Sequence, residues 1–121
     1  MAEVGTFFAK CIFSSKRIEE EKLLSFFEER IVLVRAGSFD EAFANAEKEG
    51  KNYATVDKCT FHECVGVFHT QDPIEDGTEI FSMYRVSDEA ASDYIARHYK
   101  TGNEWESFLF RSSPGLDPND T

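Results

Sequence analysis

RIVLVRAGSFDEAFANAEKEG, residues 30–50, holds the pattern that decides the fold. Ile31, Val32, Leu33 and Val34 stand in a row between charged residues, a short apolar run that reads as a strand buried on both faces. Gly37 follows, and Ser38-Phe39-Asp40-Glu41 then forms a capping box. In such a box the Ser38 hydroxyl accepts from the Glu41 amide and the Glu41 carboxylate returns a bond. Phe39, Ala42, Phe43 and Ala46 recur at the spacing of one helix face. Gly50 is expected to end that helix, because a residue without a Cβ suits a left-handed cap.

Upstream of this unit, Thr6 to Phe13 is rich in Phe and Ile and reads as a strand that Ser14 and Ser15 break. Lys16 to Glu29 reads as a helix, with Leu23, Leu24 and Phe27 on one side and Glu19, Glu20, Glu21 and Glu28 mostly away from it. Ile18 fits that stripe poorly. Downstream, Lys58 to Thr70 reads as a long strand through Val65, Val67 and Phe68, with Gly66 marking a bulge or a close approach. Asp76-Gly77 is a hairpin turn signal, so Thr78 to Val86 is expected to return as the paired strand.

Ser87 is expected to cap a further helix, with Asp88 and Glu89 in its first turn and Arg97, His98 and Lys100 in its last. Gly102 ends it. Residues 104–111 contain Trp105, Phe108, Leu109 and Phe110 and fit an edge strand or a short helix equally. The pattern predicts an α+β fold: an antiparallel or mixed sheet of about four strands with two to three helices packed on one face. One domain over 1–111 is expected, followed by a flexible tail over 112–121 with two prolines.

At 121 residues the chain is the size of one domain, and 12 phenylalanines imply a core of aromatic packing. The formal net charge of −10 argues against binding nucleic acid or anionic lipid, both of which need a basic face. It favours attraction of a basic partner. Three cysteines, Cys11, Cys59 and Cys64, do not form an even disulfide framework and fit a reducing compartment. Met1 to Lys10 has an acidic residue before any basic one and no long apolar stretch, unlike a secretory signal. No apolar run has the length of a membrane span. A cytoplasmic location is expected.

Cys59, His62, Cys64 and His69 invite a metal reading. Strand alternation points Cys59 and Cys64 apart and leaves only His62 and Cys64 as neighbours on one face, so neither a metal nor another cofactor is expected. The same pair is the one candidate for thiol catalysis, but no glycine-rich oxyanion loop accompanies it. Catalysis is therefore not expected.

The acidic residues carry more information. Glu19, Glu20, Glu21, Glu28 and Glu29 crowd one segment, and Asp57, Asp72, Glu75, Asp76 and Glu79 flank the expected hairpin. A solvated face accounts for such runs, and so does an interface for a basic protein.

Phe7-Phe8-Ala9-Lys10-Cys11-Ile12-Phe13 forms an aromatic strand ending in Lys and apolar residues. Phe27-Glu28-Glu29-Arg30-Ile31-Val32-Leu33-Val34-Arg35-Ala36 then runs from acid into an apolar strand, followed by the capped helix Ser38–Glu47. Val65-Gly66-Val67-Phe68 and Glu75-Asp76-Gly77-Thr78-Glu79-Ile80-Phe81-Ser82 close with a strand, a glycine turn and a second strand. In these spaced elements, over about residues 6–86, the chain resembles DUF4288, a bacterial domain of unknown function. The resemblance implies a small bacterial cytosolic protein without established catalytic residues. With the charge and size, it leads to the expectation of an immunity-type antitoxin that occludes a basic toxin. The alternatives are a structural or oligomerisation module, such as a homodimer joined at a sheet edge, and a small Cys/His enzyme.

Overall fold

β1 runs from Gly5 to Glu19 and turns back at once into β2, Lys22–Ala36, in an antiparallel ladder that pairs Glu19 with Lys22 and Gly5 with Ala36. The computed structural model describes residues 4–104. After β2 come α1, Phe39–Asp57, and β3, Thr60–Thr70, which pairs antiparallel with β1. The sheet order is β2-β1-β3. The chain divides at Met83/Tyr84 into two compact units, and the second carries α2, Ala91–His98.

The α+β class stands, with a three-stranded antiparallel sheet in place of about four strands. The helix expected over Lys16–Glu29 does not form, and those residues make the distal half of the β1–β2 hairpin. The misfit of Ile18 to a helical stripe was the sign: in the ladder it lies opposite Leu23. Glu20 and Glu21 close the two-residue turn with φ of 49° and 65°, the left-handed conformation that such hairpins require at both central positions. The strand expected over Thr78–Val86 is also absent. The turn before it is present: Gly77 has φ 90° and the Thr78 amide donates to Glu75 O at 3.0 Å. Beyond it, Phe81 packs its ring against Phe68 at 6.3 Å, so side-chain contact takes the place of a ladder.

α1 begins at the expected Ser38 cap, whose hydroxyl accepts from the Glu41 amide at 3.1 Å, the half of the capping box that is seen. It does not end at Gly50 but runs to a left-handed cap at Lys58. Ala42, Ala46, Gly50 and Ala54, each four residues apart, are its buried positions. Such small residues let the helix axis approach the sheet while large rings from the strands fill the gap. Ala9, Cys11 and Phe13 of β1, Val34 of β2 and Cys64 of β3 meet Ala46 and Ala54 in the main core, with Tyr53 and Phe61 packed against it. Phe7, Ala36 and Ala42 form a smaller cluster.

In the second unit, Ser87 does not cap α2. Its hydroxyl accepts from the Glu89 amide at 3.0 Å and donates to the Glu89 carboxylate at 2.8 Å, and the helix starts beyond Ala90. Arg85 donates to the hydroxyls of Tyr94 at 2.8 Å and Tyr99 at 3.4 Å. The segment from Trp105 onward, expected as an edge strand or short helix and a tail, lies outside the described residues.

Candidate functional site

β3 pairs with β1 only from Thr6 to Ser14, whereas β2 pairs with it to the very turn. The hairpin therefore continues as a two-stranded arm roughly 17 Å past the last residue that β3 pairs, at about 3.3 Å per residue. Two strands alone bury little apolar surface. Ile18 is 75%, Leu23 64% and Phe27 68% exposed, so this arm carries apolar side chains into solvent. At its tip stand Glu19, Glu20 and Glu21, all exposed.

The other acidic candidates are placed differently. Glu28 turns toward α1 and accepts from the Tyr53 hydroxyl at 2.7 Å. Its neighbour Glu29, on the opposite face, pairs with Lys10 at 2.8 Å. Adjacent strand residues must diverge in this way. Asp72, Glu75, Asp76 and Glu79 lie exposed in the turn region after β3. That region follows Thr70, which pairs with Thr6 at the far end of β1 from the hairpin tip. Thirteen strand residues, roughly 40 Å, separate the two ends, so the acidic groups form two patches rather than one.

His62 and Cys64 are not neighbours on one face. The β1–β3 register shifts between Ile12 and Phe13 and again between Lys10 and Cys11, leaving His62 and Val65 as extra residues on β3. These bulges break the simple alternation. Cys64 joins the core beside α1. His62 lies on the other face, with Nε2 2.6 Å from the Ser14 hydroxyl and its ring 6.3 Å from that of Phe27. Burial, reinforced by the adjacent Cys64, pushes the Cys11 thiol up to about 12, away from the thiolate that nucleophilic chemistry needs. Burial raises Cys59 as well. His69 stacks on Phe7 at 4.5 Å and meets Phe39 edge-on, at the opposite end of β3. Among the described residues no three His, Cys, Asp or Glu side chains gather to hold a metal ion. Among the same residues no helix is long and apolar enough to cross a membrane.

The projecting arm is the feature that sequence reasoning missed. Its signal was a mirror pattern about Glu20-Glu21, with Glu19 facing Lys22 and Ile18 facing Leu23.

A family model described as Domain of unknown function (DUF4288) matches residues 6–82, more than half of the chain. The match spans β1, β2, α1, β3 and the Gly77 turn. No curated protein and no solved structure matches the chain.

Proposed function

The chain belongs to the DUF4288 family, and from that premise we propose that it is a non-catalytic, cytoplasmic protein-binding protein of the immunity type, neutralising a basic bacterial toxin by occlusion. The observation that carries this reading is the hairpin arm with Glu19, Glu20 and Glu21 at its tip. Charges at the end of a projection meet a partner first, and a chain with formal charge −10 draws a basic partner from a distance. Asp72, Glu75, Asp76 and Glu79 form a second acidic patch that widens the covered surface. The arm acts by shape and charge, with no bond made or broken, so the reading requires neither a cofactor nor a catalytic residue.

The test is co-expression with the neighbouring open reading frame, followed by affinity capture at low and high salt. A stable complex that weakens with salt, and inhibition of the captured protein's activity, are expected. Glu20→Lys combined with Glu21→Lys should weaken capture at least tenfold without unfolding the chain, because both side chains are exposed. Absence of both binding and inhibition would sink the proposal.

A further inference from the structure

We propose that a second copy of this chain pairs with the outer edge of β2, strand to antiparallel strand, about a twofold axis at Phe27. The two three-stranded sheets then become one. This goes beyond partner binding by the acidic tip and stands independently of it.

β2 is an edge strand, with β1 on one side and no strand on the other among the described residues. The two-residue turn makes Glu19 and Lys22 the first hydrogen-bonded pair of the hairpin. Even-numbered residues of β2 therefore direct their N–H and C=O at β1, and odd-numbered residues direct theirs outward. An outward contact among the described residues agrees: Asn45 Nδ2 donates to the Arg35 carbonyl at 3.2 Å. That contact covers the α1 end of the edge. From Leu23 to Leu33 the outward groups face no neighbouring strand among the described residues.

The odd-numbered side chains also share the face turned away from α1. Phe27 is 68%, Leu23 64% and Ile31 42% exposed. A long apolar edge of this kind is a template for another strand, and folded proteins rarely leave one bare.

Charge selects the register. Hydrogen bonding demands that odd residues meet odd residues, so the axis must pass through a residue. With the axis at Phe27, the two Phe27 rings meet, Leu23 faces Ile31 of the second copy, and Ser25 faces its Glu29. On the other face Leu24 meets Arg30 and Phe26 meets Glu28, and no like charges oppose each other. An axis at Glu28, Glu29 or Arg30 sets that charge against itself, and one at Phe26 sets Lys22 against Arg30. Like charges directly opposite are destabilising. An axis at Ser25 shortens the overlap, and one at Ile31 runs into the Asn45 contact and leaves Leu23 bare. In the Phe27 register the tip also lies alongside Arg35 of the second copy, an exposed cation that takes part in none of the ion pairs among the described residues.

Light scattering on the full chain should give twice the mass of one chain, falling to the single mass on dilution. Ser25→Pro tests the edge, because it removes an outward N–H that β1 does not use. It should halve the mass while the far-ultraviolet dichroism and Tm stay near those of the parent. Phe27→Lys, at an exposed position, should do the same by placing like charges on the axis. Phe27→Cys should cross-link into a covalent dimer under mild oxidation. Ser25→Cys should cross-link at least tenfold less, since the two sulfurs would lie on the order of 13 Å apart, beyond disulfide reach. A single-chain mass at the highest soluble concentration, a dimer that survives both Ser25→Pro and Phe27→Lys, or preferential cross-linking at Ser25 overturns the proposal. These readouts use no toxin, so they fail or succeed separately from partner capture.

Discussion

Gly50 of α1 lies against the ring of Phe61 of β3 so closely that a Cβ at position 50 would stand 2.6 Å from Phe61 Cε2. Gly50→Ala therefore sets two effects against each other. Relief of the glycine's helix penalty contributes about 1 kcal/mol, while forcing a methyl into a filled space costs about 1–3 kcal/mol. Overpacking should win, with a net loss of about 1 kcal/mol in urea unfolding. Adding Phe61→Leu should recover part of it. A rise in stability for Gly50→Ala alone would show that the ring moves aside freely.

Arg30 joins β2 to α1 in two ways. One guanidinium nitrogen donates to both Glu49 carboxylate oxygens, at 2.7 and 2.8 Å, and the guanidinium lies 3.8 Å from the centre of the Tyr53 ring. Arg30→Lys keeps the charge but loses the planar group that stacks. The expected cost is about 1 kcal/mol, and part of it should persist in high salt because stacking is not screened as an exposed ion pair is. Paired denaturation curves at low and high ionic strength would show it; a loss that disappears with salt would assign the whole effect to the ion pair.

Alkali should unfold the first unit progressively. The Tyr53 hydroxyl donates to Glu28, and that bond, with burial behind it, lifts the phenol above its ordinary range. Burial and Cys64 push Cys11 up to about 12. Both groups hold their protons more tightly when folded. Their contribution is therefore complete below the unfolded values, about 8.5 for Cys and 10 for Tyr, and is lost as pH rises through the folded ones. Stability should decline from about pH 9 onward. Ultraviolet titration should find one tyrosine that ionises only with unfolding, absent in Tyr53→Phe. Alkylation of Cys11 at neutral pH in the folded chain would contradict this picture.

Removal of the Ser38 hydroxyl should weaken the start of α1. Ser38→Ala is expected to cost about 1 kcal/mol and Ser38→Gly only a few tenths. Equal loss in the two variants would show that the hydroxyl bond at 3.1 Å is not what holds the cap.

That cap was legible because it is local: a hydroxyl and an amide three residues apart need no tertiary partner. The Phe-rich strand and β3 were legible for a similar reason, since their composition suits a pleated buried surface whatever lies beside it. Residues 16–29 misled because charged, leucine-bearing segments satisfy helix propensity, while the deciding fact was their pairing with one another. Gly50 misled because a small residue needed for close packing looks the same as one needed for a cap. Among the acidic candidates, the grouping of Glu19–Glu21 was visible in the sequence, but not the separation of Glu28 from Glu29, which follows from the strand pleat. The bulges that part His62 from Cys64 left no mark beyond Gly66.

The turn at Glu20-Glu21 bears on how fast the chain folds. β1 meets β2 through residues adjacent in sequence but meets β3 only across the whole of α1, so the hairpin is the contact that closes with the least loss of chain freedom. It closes through two non-glycine residues in the left-handed region, each held there at about 1–2 kcal/mol. That cost falls on nucleation, before the ladder has returned any hydrogen bonds. An Asn-Gly turn in its place should accelerate refolding and leave unfolding nearly unchanged. The chain keeps glutamates where they slow its own assembly, and its refolding rate is where those two residues are most strongly felt.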